Sequence, residues 1–128
     1  MNVDHLSRQL SLIPMDTLTV KVNIIGCGAI GSFLALSLAK MGITRIEMWD
    51  FDSVSIENMS NQFYRFADIG SPKAVALAGL VNDFTGVTPK PNISKLETLA
   101  GLDGIVIVAV DTMAARKQLF ESLAGNPH

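Results

Sequence analysis

The chain has 128 residues, the length of one domain and enough to bury a core, with ten basic against twelve acidic residues and a formal net charge of −2. That balance excludes a global field that would recruit nucleic acid or an anionic membrane surface. A single cysteine, Cys27, excludes an internal disulfide and a zinc site of paired C-x-x-C type, and fits a reducing cytoplasm.

The opening MNVDHLSRQ lacks the basic segment and apolar core of a secretion signal. Leu6, Leu10 and Ile13 recur at helical spacing before Pro14, so residues 1–15 read as an amphipathic helical arm. LTVKVNIIG is β-branched and ends in Gly26, which predicts a strand over about 19–25. From Ala29 to Met41 the residues are helix formers with apolar side chains on nearly every face, as packing on a sheet requires, and Gly42 is the expected stop. The apolar run over 24–43 is therefore a strand and a helix rather than a membrane span, since its first third is rich in glycine and Lys40 interrupts its end.

TRIEMWD predicts a second strand, followed by the polar stretch DFDSVSIENMSNQ. Ser71 and Pro72 predict a helix start, with Ser71 as cap and Pro72 in the first turn, and the helix runs to about Phe84. VTPKPNI can form only an edge strand, because two prolines remove ladder donors. GIVIVAV, at 104–110, is a continuous apolar run of the kind buried on both faces, and TMAARKQLFESLA closes the chain as a helix. This order predicts a single α/β domain, a Rossmann-like parallel sheet with helices on both faces joined by right-handed crossovers.

Three features carry chemistry. IIGCGAIGS places G-x-G-x-x-G at Gly26, Gly28 and Gly31, between the first strand and first helix. The first glycine makes the turn, the second admits a phosphate to the backbone, and the third lets helix and strand pack closely. A phosphate would then meet the N–H groups and positive dipole end of the helix. Asp50 ends the second strand 19 residues after Gly31, where a carboxylate can bind ribose hydroxyls. The loop continues with Asp52, Glu57, Asn58, Asn61 and Gln62 and reaches Lys73, a row of polar groups able to hold a triphosphate through charge-assisted bonds. Asp111 stands at the carboxyl end of the most apolar strand, at the sheet edge where ligands bind in open α/β folds; it can also cap the last helix, and the two roles are compatible.

DFDSVSIENMSNQFYRFADIGSPKA resembles the signature of the ThiF/MoeB adenylyltransferases, the superfamily that includes ubiquitin-activating enzymes: D-x-D-x-V-x-x-x-N-L-x-R-Q, then D-x-G-x-x-K. LSRQLSLI near the N-terminus, the glycine loop, and VIVAVDTMAARKQL are similar to three further family motifs, so the resemblance spans about residues 6–120. It implies ATP-dependent activation of the C-terminal carboxylate of a ubiquitin-like or sulfur-carrier protein. The whole chain would be the nucleotide-binding domain, with the glycine loop, Ile30 included, cradling ATP and Asp50 on the ribose. Asn58, Gln62 and Lys73 would contact phosphates, and Asp111 would hold Mg²⁺. Arg8 would reach across a homodimer to the partner's phosphates.

Two positions depart from the pattern. Asn61 stands where the family has the arginine of R-Q, and an amide lacks that side chain's fixed charge and bidentate fork. Thr112 replaces the asparagine after the aspartate. The family's C-terminal half, with its substrate-docking sheet, is absent from these 128 residues, which fits a fragment, a split gene product or a reduced relative. Cys27, inside the glycine loop, is expected to be inert. The readings set beside the adenylyltransferase are an NAD-binding dehydrogenase domain, which gives Asn58, Gln62 and Lys73 no task, and a non-catalytic nucleotide-fold scaffold.

Overall fold

The computed structural model describes residues 19–60, 62–110 and 113–124. The helical arm expected over 1–15, with Arg8, lies outside the described residues, as do Asn61, Asp111 and Thr112. Strands β1 (Lys21–Ile25), β2 (Arg45–Trp49), β3 (Lys90–Asn92) and β4 (Ile105–Val108) form one parallel sheet in the order β3-β2-β1-β4. Helix α1 (Ala29–Lys40) follows β1, α2 (Lys73–Thr85) precedes β3, and α3 (Met113–Ala124) follows β4. Two 3₁₀ turns, Ile56–Ser60 and Phe66–Asp68, occupy the stretch between β2 and α2.

The period-2 alternation of a strand sends neighbouring side chains to opposite faces. Val22, Ile24, Ile46 and Met48 turn to one face, where Ala35 and Ala39 of α1 and Leu77 and Val81 of α2 cover them. Ile25 and Trp49 turn to the other and meet Leu99 and Leu119, the latter on α3. Helices therefore cover both faces. Each fully buried side chain such as Ile24, Met48 or Leu77 stabilises the fold by about 1.5–3 kcal/mol. The face under α1 and α2 holds most of these, so it anchors the domain, and the α3 face is the smaller core.

Three expectations need correction. Ser71 does not cap α2: Pro72 occupies the N-cap position, with φ −57° and ψ 134°, and the helix begins at Lys73. The cause lies in the loop after β2. Val54 N–H donates to the Ser71 carbonyl at 2.8 Å, Gly70 N–H donates to the Val54 carbonyl at 2.8 Å, and Ser53 bridges Pro72, so this pairing occupies Ser71 and holds Pro72 extended, and the helical turn starts only after them. The strand 104–110 is shorter, and it is not buried on both faces. Ile105 is 51% exposed and Val106, Ile107 and Val108 are half-buried, because β4 has only β1 as a neighbour among the described residues. Helix α1 is likewise not covered all round, since Ile30 and Phe33 are exposed while the small residues Gly31, Ser32, Ala35 and Ala39 face inward. The edge position of β3, the stop at Gly42 with φ +101°, and the extents of α1 and α2 follow the sequence within a residue or two.

Candidate functional site

At the carboxyl ends of β1, β2 and β4 lies a cavity of about 230 Å³. Gly26, Gly28, Asp50, Asp52 and Lys73 line one end; Trp49, Leu96, Val110 and Leu119 line an apolar end. The glycines are there for steric reasons. Gly26 has φ +103°, and a Cβ on it would stand 2.8 Å from the Ala109 carbonyl oxygen. A Cβ on Gly31 would fall 1.8 Å from the Gly26 carbonyl oxygen, so α1 can approach the end of β1 only without a side chain there. Gly28 is the N-cap of α1 and offers no side-chain cap, which leaves the N-terminal turn of the helix open toward the cavity.

Asp50 organises this end. Its Oδ2 accepts the Cys27 N–H at 2.7 Å and its Oδ1 accepts the Asp52 N–H at 2.8 Å, so one carboxylate fixes both the glycine loop and its own loop. Each oxygen keeps a second lone pair for a hydroxyl. Lys73 N–H donates to the Asp52 carbonyl at 2.9 Å, which clips the start of α2 to the same loop. The Lys73 side chain is buried and its ammonium has no ion-pair partner among the described residues. A buried cation without a partner is costly unless an anion arrives.

Of the other expected site residues, Ile30, Asn58 and Gln62 do not line the cavity. Asn58 caps its own loop, with Oδ1 accepting the Ser55 N–H at 2.8 Å and the Ser55 hydroxyl at 3.2 Å. Its amide nitrogen has no partner among the described residues. Gln62 Oε1 is buried without a partner among the described residues. Ile30 points outward, 61% exposed. Cys27 is buried; burial pushes its thiol far up, Asp50 adds to that and Lys73 opposes it, in keeping with an inert cysteine. Asp111 follows directly on Val110, which lines the cavity. Arg116 donates from Nε to the Val110 carbonyl at 2.9 Å, a structural bond that steadies the end of β4.

The sequence did not point to the apolar end. Trp49 was legible only as a residue of the second strand, while Leu96 lies in an irregular segment after β3 with no pattern to mark it. Nor did it give a role to Asp68, the aspartate of D-x-G-x-x-K. Asp68 accepts the Arg65 N–H at 2.8 Å and two guanidinium bonds from Arg65, while Arg65 also reaches Asp83 at 2.8 Å.

Residues 6–124 match the ThiF family. This chain belongs to the ThiF family. Over 103 residues the ThiF-family chain is 32% identical to the NEDD8-activating enzyme E1 catalytic subunit of Dictyostelium discoideum, a match covering 76% of the chain and 23% of that protein. It is 28% identical over 106 residues to the molybdopterin-synthase adenylyltransferase of Escherichia coli strain K12, covering 77% of the chain and 43% of that protein. The chain thus spans less than half the length of these relatives. Among solved structures, E. coli TcdA, a tRNA N6-threonylcarbamoyladenosine dehydratase, superposes with a TM-score of 0.82 at 20% identity, over 96% of this chain and 56% of that one. A structure of TcdA in complex with ATP gives a TM-score of 0.83. At that identity the likeness shows the fold alone.

Proposed function

We infer that this chain is the nucleotide-binding part of an ATP-dependent adenylyltransferase that activates the C-terminal carboxylate of a ubiquitin-like or sulfur-carrier protein. The observation that carries the reading is the buried Lys73 side chain, without an ion-pair partner among the described residues, lining one cavity with Gly26, Gly28 and Asp50. That cavity offers a cation and backbone donors for phosphates, a carboxylate for ribose, and an apolar end suited to a base. Family membership and the ATP complex of TcdA support the same reading.

In the reaction, a carboxylate oxygen of the carrier attacks the α-phosphorus of ATP, an acyl-adenylate forms and pyrophosphate leaves. The chain's share is to position and to stabilise charge. Lys73 neutralises phosphate charge, Asp50 orients the ribose, and the glycine loop supplies backbone contacts to the phosphates; Asn58 and Gln62, which do not line the cavity, take no part in the ligand contacts. Asp111 would hold Mg²⁺, which draws off charge from the phosphates when bound. Mg²⁺ commonly takes one or two carboxylates plus substrate phosphate oxygens, a donor set to which the carboxylate of Asp111 would contribute. Arg8 would act in a homodimer, on the partner's phosphates. Asn61 in place of arginine predicts slow adenylation. No helix among the described residues is long and apolar enough to cross a membrane, and we place the protein in the cytoplasm.

Calorimetry with ATP and Mg²⁺ against NAD tests the nucleotide; tight NAD binding without a response to ATP would sink the reading. ATP–pyrophosphate exchange with peptides ending like carrier proteins tests the chemistry. The departure at Asn61 favours a second reading, a scaffold that binds nucleotide without turning it over, and that reading expects no exchange at any peptide concentration.

A further inference from the structure

Tyr64 is buried in the core under α1 and α2 and does not line the cavity, yet its hydroxyl donates to the Cys27 carbonyl at 2.5 Å across 37 residues of sequence. The same hydroxyl lies 3.5 Å from the Lys73 carbonyl, a weaker contact that places it between the glycine loop and the first residue of α2. The D-x-D…R-Q…D-x-G-x-x-K signature leaves position 64 open, and nothing in the sequence marks this tyrosine.

The geometry of the peptide unit gives the bond its consequence. In a planar trans peptide the C=O and the following N–H point in opposite directions. Tyr64 holds the Cys27 carbonyl on the core side, so the N–H of Gly28 is turned the other way, toward the cavity that Gly28 lines. That N–H has no acceptor among the described residues, whereas the preceding donor, Cys27 N–H, is already used by Asp50. The loop therefore presents Gly28 rather than Cys27 to a ligand, and the peptide between them is pinned from behind.

We propose that Tyr64 is a positioning residue for phosphate recognition: its hydroxyl locks the Cys27–Gly28 peptide so that the Gly28 N–H is aimed at a nucleotide phosphate before any ligand binds. The proposal rests on the nucleotide-binding reading above and adds to it a residue that touches no ligand. Without the hydroxyl, the buried Cys27 carbonyl loses its partner and the peptide is free to turn toward another donor. Burial pushes the phenol well above its usual range, with Cys27, Asp50 and Asp68 adding to the shift, so the donor stays protonated across the working pH range.

The test is Tyr64→Phe in the full 128-residue chain, with titrations of ATP with Mg²⁺ and of adenosine, and the ¹⁵N resonance of the Gly28 amide as a direct probe. The expected result is about tenfold weaker ATP binding, the share of one charge-assisted backbone bond, with adenosine affinity unchanged and the free protein's Gly28 resonance shifted. A tyrosine that only filled the core would weaken ATP and adenosine alike; that outcome, or unchanged ATP binding, overturns the proposal while leaving the nucleotide reading intact. Wild-type protein that binds neither ligand defeats both. Should Tyr64→Phe not fold, the wild-type protein decides: its Gly28 amide must respond to ATP and not to adenosine, and an indifferent Gly28 amide refutes the proposal.

Discussion

Lys73 joins sequence, fold and site in one side chain. Its backbone N–H is tied to Asp52, its carbonyl lies near Tyr64, and its side chain lines the cavity with no ion-pair partner among the described residues. Such a lysine costs the apo fold free energy and is kept by its ligand. Lys73→Met should therefore do two opposite things. The variant should melt at or above the wild-type temperature, since a thioether of similar length removes the desolvation cost of a buried charge. Its affinity for ATP should fall by at least about tenfold, the share of one charge-assisted contact, while adenosine binding holds. Thermal melts and calorimetry on the same preparation check both. A variant that loses stability and keeps its ATP affinity would mean that Lys73 is a structural residue paired outside the described segments.

At the scale of elements, the glycine loop shows how much of the site the sequence could disclose. The spacing of Gly26, Gly28 and Gly31 carried its own steric logic, and the structure supplies the contacts: the Ala109 carbonyl against Gly26, the Gly26 carbonyl against Gly31. Gly31→Ala puts a methyl 1.8 Å from a backbone oxygen that cannot yield, so it should destabilise by at least about 3 kcal/mol, the upper end of overpacking. Gly79→Ala in α2 is the control: nothing lies within 4 Å of its added carbon, and it should stabilise by about 0.5–1 kcal/mol through helix propensity. Urea unfolding of the two variants separates the effects. Strand and helix positions were legible because period and glycine stops are local. Three things were not. Ser71 looked like a cap because its residue type fits, yet pairing of its carbonyl with Val54 ties it to the loop after β2 and moves the cap position to Pro72. GIVIVAV looked doubly buried because hydrophobicity does not say whether a strand has one neighbour or two. The placing of Leu96 and Tyr64 beside the site depends on tertiary packing, which leaves no periodic trace.

For the molecule as a whole, acid tolerance turns on one carboxylate that crosses three strands. Glu47 in β2 takes Lys21 of β1 at 2.9 Å, Lys90 of β3 at 3.7 Å and the Asn92 amide of β3 at 3.1 Å. Burial alone would raise its pKa, but the bonds from Lys21 and Asn92 and the two lysine charges outweigh it, and the carboxyl is held below its usual range. The sign of the linkage follows. The unfolded chain takes up this proton near the ordinary glutamate value of about 4.3, and the folded chain only at lower pH, so the stabilisation is present above that value and lost as pH falls through the folded pKa. Lys90 is largely exposed and adds little, so Glu47→Gln should cost about 1 kcal/mol at neutral pH, from Lys21 and Asn92. That cost should shrink as the solution is acidified past the ordinary glutamate value, until the two proteins unfold alike. Glu57 is the control, since its hydrogen bond from Ser55 lowers its pKa on a fully exposed side chain, and Glu57→Gln should leave the acid limb of the curve in place. Urea midpoints collected at intervals from neutral pH downward give the answer. A Glu47→Gln deficit that stays constant with pH would mean that the sheet is held by the shape of this side chain rather than by its charge.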